Sequence, residues 1–180
     1  MSYAVVWEFD PQFTATVRDL WQRLAAAGIS DSQLTSGTPP HLTLAASDDL
    51  NPDLYRTELE AFSQKCLAFT LHFGHWGIFP GETYVLYLGI ELTRPVITTH
   101  AQFFSNFRAY AEMPNIHYTA GRWVPHVTLA TGLSAAALTA ALPLALNLPL
   151  PLEGHLTGVQ LVRYPPAETL YHYPITGARE

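Results

Sequence analysis

Apolar and polar residues follow two rhythms along this chain. Residues 3–9, YAVVWEF, are β-branched and aromatic and predict a strand. Asp10 followed by Pro11 supplies an N-cap and a first-turn proline, so the strand hands over to a helix. In that helix Phe13, Val17, Leu20, Trp21 and Leu24 recur at helical spacing until Gly28, a C-terminal stop. A polar loop, Ser30 to Pro40, precedes HLTLAA at 41–46, which reads as a short strand. Asn51-Pro52 then opens a second helix with one stripe of Tyr55, Leu59, Phe62 and Cys66.

Strand-like sequence resumes at Ala68 and runs to Phe79, where Pro80-Gly81 marks a turn into YVLYLGI at 84–90, a buried strand. Thr93 to Met113 predicts a helix on the periodicity of Val96, Phe103, Phe107 and Tyr110. RWVPHVTLAT at 122–131 reads as a further strand, and Ser134 caps an alanine-rich helix that Pro143 ends. An extended Leu/Pro connector at 148–152 leads to two closing strands, about 155–163 and 169–175, around the turn residues Pro165-Pro166. The order is βαβαβ and then βαβαββ, an internal repeat. Pro11 and Pro95, each near a helix start, lie 84 residues apart, and His41 and His126, each in a strand, lie 85 apart. The chain therefore reads as a single domain over 1–180 with two quasi-equivalent halves, about 1–80 and 81–180.

At 180 residues the length suits one ordinary core, and 48% hydrophobic against 13% charged residues excludes disorder as the main state. Nine Lys+Arg against fifteen Asp+Glu give a net charge of −6, with Lys65 the single lysine. Such a surface lacks the basic tracks that follow long phosphate backbones, so DNA is not an expected partner and any anionic partner should be small. One cysteine, Cys66, permits neither an internal disulfide nor a cysteine zinc cage. No signal peptide is visible at the N-terminus, and the most apolar stretch, AALPLALNLPLPL, is broken by Pro143, Asn147, Pro149 and Pro151. A cytoplasmic protein with no membrane partner is the default expectation, and a monomer the expected state.

Two matching hexapeptides carry the chemistry: PHLTLA at 40–45 and PHVTLA at 125–130, identical at five of six positions. His-x-Thr alone is weak, since chance gives about 0.8 occurrences in a chain of this composition. Two further triplets, His117-Tyr118-Thr119 and His155-Leu156-Thr157, lack the flanking proline and Leu-Ala and are set aside. In a strand, residues i and i+2 share a face, so His41 and Thr43 project together, as do His126 and Thr128. Pairing of the halves would converge two imidazoles and two hydroxyls on one cleft. That set suits a phosphate: one imidazole takes a proton, the other gives one, and the hydroxyls donate to non-bridging oxygens.

The paired motifs, with the segment FPGETYVLYLG, resemble the two-histidine phosphoesterase superfamily, which includes bacterial 2′-5′ RNA ligase-like proteins and cyclic phosphodiesterases. The resemblance implies an α+β bilobal fold, with pseudo-two-fold-related halves whose antiparallel sheets flank a central cleft and whose helices lie outside. It implies His41 and His126 as catalytic residues and Thr43 and Thr128 as phosphate ligands. The implied activity is metal-independent and cofactor-free hydrolysis of a nucleoside or RNA-terminal 2′,3′-cyclic phosphate. The alternatives are 2′-5′ RNA ligation and non-catalytic binding of nucleotides or RNA ends. Many relatives carry a basic residue shortly after each motif, whereas Ala45-Ala46 and Ala130-Thr131 follow here, which puts ligation and strong RNA binding in question.

Other candidates are secondary. Tyr3, Trp7, Tyr84, Tyr87 and Trp123 are aromatics with core packing as the main expectation, while Phe79 and Tyr84, beside the PGE turn, are candidates to contact substrate. Arg122 shares strand parity with His126 and would bring positive charge to the cleft edge. His72 and His75, three apart in a strand, face opposite sides and do not make a metal pair. GxSxG, P-loop and GxGxxG patterns are missing, so serine hydrolase, P-loop and dinucleotide readings have no support.

Overall fold

Asp10 ends the first strand and starts the first helix by accepting the N–H groups of Gln12 and Phe13 at 2.9 and 3.0 Å. Asn51 and Ser134 cap later helices in the same way, through Leu54 and Ala137. The computed structural model describes residues 1–176. In chain order they form β1 (Ser2–Phe9), α1 (Pro11–Ala26), a short α2 (Ser32–Thr35), β2 (His41–Ser47), α3 (Pro52–Lys65), β3 (Thr70–Phe79) and β4 (Tyr84–Ile90). There follow α4 (Arg94–Phe107), a 3-10 turn (Ile116–Tyr118), β5 (His126–Leu133), α5 (Ala135–Leu146), β6 (Leu152–Tyr164) and β7 (Glu168–Pro174).

Three boundaries differ from the sequence expectation, each for a local reason. The strand expected from Arg122 begins at His126, because the N–H groups of Arg122 and Trp123 both turn back to the Thr119 carbonyl and Pro125 has no N–H to offer a ladder. The helix expected to run to Met113 stops at Phe107, and Tyr110 reaches the core from a turn, edge-on to Tyr55 at 5.4 Å. Pro143 lies inside α5 instead of ending it. It sits on the exposed side while Ala141 and Ala145 stay buried, so the missing N–H bond opens toward solvent.

All strand pairs are antiparallel, in the order β1-β2-β5-β4-β3-β6-β7, with β1 also paired to β6. The thirteen-residue β6 makes this possible, since residues 152–155 pair with β3 while 156–164 pair with β1. Where the sequence suggests two sheets, the strands form one continuous seven-stranded system. The spatial halves, β7-β6-β1-β2 and β5-β4-β3, therefore exchange elements between the sequence halves. Helices cover the outer faces, with α1 against α5 and α4 against β2. Every apolar residue of the α1 stripe is buried, as its spacing predicts.

Between β2 and β5 the ladder narrows to one registered pair, Leu42 with Val127. Two indoles hold the strands next to that point. Trp123 Nε1 donates to the Thr43 carbonyl at 2.9 Å, and Trp21 Nε1, from α1, donates to the Thr128 carbonyl at 3.2 Å. Trp123 in turn lies flat on His100 of α4, with ring centroids 3.7 Å apart and planes within 4°. The His100 Nε2–H donates to the Leu44 carbonyl at 3.0 Å.

Burial pushes the His100 imidazole down to about 4, against the pull of the Leu44 and Tyr118 carbonyls. The unfolded chain protonates this ring near 6.5 and the folded chain does not, so stability falls as pH drops through that window. At about 1.4 kcal/mol per pH unit, the loss between pH 6.5 and 4 reaches about 3 kcal/mol. His100→Phe, which keeps a ring over Trp123 without a titrating nitrogen, is expected to flatten that part of a urea-midpoint against pH curve. An unchanged curve would place the acid sensitivity elsewhere.

Candidate active site

Strand alternation divides each motif between core and cleft. Leu42 and Leu44 of β2, like Val127 and Leu129 of β5, are buried in the main core. His41, Thr43, His126 and Thr128 face the other way and line one cavity of about 490 Å³. The antiparallel register through Leu42 and Val127 sets His41 alongside Thr128 and Thr43 alongside His126. The four side chains thus surround one point as two diagonal pairs.

The backbone also fixes each ring. His41 Nδ1 lies 2.8 Å from the Pro39 carbonyl and His126 Nδ1 lies 2.6 Å from the Val124 carbonyl, the same i−2 contact in both motifs. A carbonyl only accepts, so Nδ1 carries the proton in the neutral ring and Nε2 keeps its lone pair for the cleft. The prolines at 40 and 125 give the hexapeptides their first letter: each holds the preceding residue in extended backbone, which presents that carbonyl. Burial lowers both imidazoles below their ordinary value, opposed by the Pro39 and Val124 carbonyls. For His126 a charge on His41 lowers it further.

The rings differ in their surroundings. Phe79 stacks on Tyr87 at 4.3 Å, and both rings meet His126, at 4.9 and 5.2 Å. Gly77 leaves room for this arrangement, since a Cβ there would lie 2.0 Å from the Tyr87 ring. Phe79 is therefore at the site as the sequence suggests, but Tyr84 is not: in β4 the odd positions Val85 and Tyr87 face the cleft, whereas Tyr84 shares parity with Leu86 and Leu88 and packs on the core. Arg122 lies in the turn before β5 and lines a second chamber of about 570 Å³ with Phe79, Val124 and Thr131.

The two chambers share Tyr118, His126 and Thr128. Sequence reasoning passes over Tyr118, because its triplet lacks the motif flanks; only long-range bonds bring it here. Asn115 N–H donates to the Ala46 carbonyl, and Met113 N–H to the Asp49 carboxylate at 2.8 Å, which straps residues 113–118 across the end of β2. Burial raises the Tyr118 phenol, with Tyr164 adding to the shift and the Thr43 hydroxyl opposing it, so it remains a hydrogen-bond donor. Ala4, Val6, Ala46 and Val162 floor the first chamber, and Thr35, Ser36 and Thr38 edge it with hydroxyls. Among the described residues no Asp or Glu lines either chamber, despite the acidic composition. The arrangement can bind an anion and pass protons on opposite sides of it.

Comparisons with known proteins place the fold. No curated protein sequence matches the chain. Among solved structures, E. coli LigT complexed with 3′-AMP aligns at a TM-score of 0.63 and 16% identity, over 97% of each chain. TT0787 of Thermus thermophilus aligns at 0.58 and 15%, over 98% of this chain and 99% of that one. Usb1 of Kluyveromyces marxianus aligns at 0.53 and 12%, over 97% and 96%. These likenesses share the fold. The family model described as the 2′-5′ RNA ligase superfamily matches residues 10–167, a span that holds both hexapeptides and the strands that bring them together, and the chain belongs to that superfamily.

Proposed function

We propose that this protein hydrolyses 2′,3′-cyclic phosphates of nucleosides or RNA ends by histidine acid-base catalysis. The observation that carries the reading is the pair of Nδ1-anchored imidazoles whose Nε2 atoms serve one cavity together with Thr43 and Thr128. His126 acts as base. Burial disfavours the charged form of its ring, which packs against Phe79 and Tyr87, and a charge on His41 disfavours it further. His126 Nε2 takes a proton from water as the water oxygen attacks phosphorus. The bond to one ribose oxygen breaks, and His41 Nε2–H protonates that oxygen, leaving a phosphomonoester. Thr43 and Thr128 donate to the non-bridging oxygens as charge builds there.

The nucleotide class is supported by relatives: LigT has been solved complexed with 3′-AMP, ATP and NADP+, and Usb1 with uridine monophosphate. Ligation would use the same residues with a ribose hydroxyl as nucleophile. Alanine and threonine after the motifs, in place of cations that would hold a second RNA strand, favour water.

The test is incubation with the four nucleoside 2′,3′-cyclic monophosphates in excess EDTA, resolving 2′- from 3′-phosphate products. Turnover should persist in chelator, and His41→Ala or His126→Ala should each lower it by about a hundredfold or more while circular dichroism stays native. Turnover restored only by a divalent ion, or a folded histidine variant near wild-type rate, would remove the mechanism.

The pH dependence follows from the lowered imidazoles. The productive free enzyme carries one proton on the pair, a state bounded by two values both below 6.5. The kcat/KM profile should therefore peak below pH 6.5 and fall on the alkaline side as His41 loses its proton. In kcat the alkaline limb should lie at higher pH, because bound phosphate stabilises the imidazolium. A kcat/KM limb above pH 7 would contradict the assignment.

A further inference from the structure

The two chambers of the cleft differ in lining and in charge. The first holds both histidines and both threonines, so the reacting phosphorus belongs there. The second touches only His126 and Thr128 of that set, yet at about 570 Å³ it is of similar size to the first. A water nucleophile needs no such volume, whose share of liquid is about 30 Å³.

Charge separates the chambers further. Among the described residues Arg122 is the one Lys or Arg side chain lining either chamber, and it lines only the second. Its guanidinium is exposed and has no carboxylate or hydrogen-bond partner among them; Arg18, Arg94 and Arg108 are also without one, but none of these lines a chamber. His117 lines the same chamber and adds an imidazole donor. The positions after the motifs are neutral: Ala46 floors the first chamber and Thr131 lines the second. A cation without a carboxylate beside it among the described residues, in the pocket of an acidic protein, fits an anion, and the reacting phosphate already has its own ligands.

We propose that Arg122 and His117 bind a second phosphate of the substrate, so that the preferred substrate is a nucleotide carrying one further phosphate beyond the cyclic one. This rests on the cyclic-phosphate reading. An arginine fork suits a phosphate better than a sugar or base. A single unpaired cation limits the gain to one phosphate, so longer RNA adds nothing beyond it.

Two measurements test this, the second of them separately from the reaction. In the first, kcat/KM is compared for a nucleoside 2′,3′-cyclic phosphate, its 5′-phosphorylated form, and di- and tetranucleotides ending in the cyclic phosphate. The 5′-phosphate or the dinucleotide should raise kcat/KM about tenfold, and the tetranucleotide should add nothing more. In Arg122→Gln the ratio should collapse toward one, and Arg122→Lys should recover part of it. In the second, calorimetry compares a nucleoside 3′-monophosphate with the 3′,5′-bisphosphate, neither of which is turned over. The bisphosphate should bind about tenfold tighter to the wild type, with log affinity falling more steeply with log salt by about 0.7, and that advantage should vanish in Arg122→Gln. Equal binding of the two ligands, or an advantage untouched by Arg122→Gln, would overturn the second-phosphate site even if cyclic phosphates are hydrolysed. An Arg122-dependent advantage in binding without turnover of any cyclic phosphate would keep the site and remove the hydrolase reading.

Discussion

An antiparallel pair can gather two His-x-Thr triplets around one point when the middle residue of each triplet is the one that pairs. Leu42 and Val127 meet this condition, and they are the one registered pair between the two motif strands. Shifting the register by one residue would turn the histidine and threonine of one motif into the core while the other motif still faced the cleft, so the pairing is held from several sides. Both residues are fully buried, and the carbonyls just beyond them are taken by the indoles of Trp21 and Trp123. Each tryptophan comes from one sequence half and holds the threonine of the other, which ties the pseudo-symmetry of the fold to that of the site.

The same backbone sets the chemistry. The carbonyls of Pro39 and Val124, each just before a proline, lock the imidazoles by Nδ1, and burial favours the neutral rings. A cleft with no carboxylate in its lining among the described residues suits an anion without the basic tracks that long nucleic acids need. The aromatic packing of Phe79 and Tyr87 falls on His126 alone, so rings related by backbone symmetry are made chemically unequal by their neighbours.

What was legible in the sequence was whatever local periodicity or repetition encodes. The α1 stripe from Phe13 to Leu24 is buried throughout, and the four motif residues share one cavity because a period of two carries side chains to one face. Proximity to a turn was a poorer guide than parity: Tyr84 faces the core while Tyr87 reaches His126. Tyr118 and Trp21 were illegible as site residues because their roles depend on partners far along the chain, Trp21 bonding a carbonyl 107 residues away. His100 occupies a position in the apolar stripe of α4, between Val96 and Phe103, where a polar residue implies a buried partner without naming it. The single sheet likewise follows from β6 serving two partners in succession, which no local pattern reports.

The proposed chemistry depends above all on both imidazoles being held by Nδ1–H and leaving Nε2 to the cleft. Long-range 1H–15N NMR of histidine-labelled protein reads this directly, with His41→Gln and His126→Gln used for assignment. Both rings should be Nδ1–H tautomers at pH 7.5, with Nε2 unprotonated, and both should titrate below 6.5. Finding either ring as the Nε2–H tautomer, or titrating above 6.5, would contradict the two-histidine mechanism.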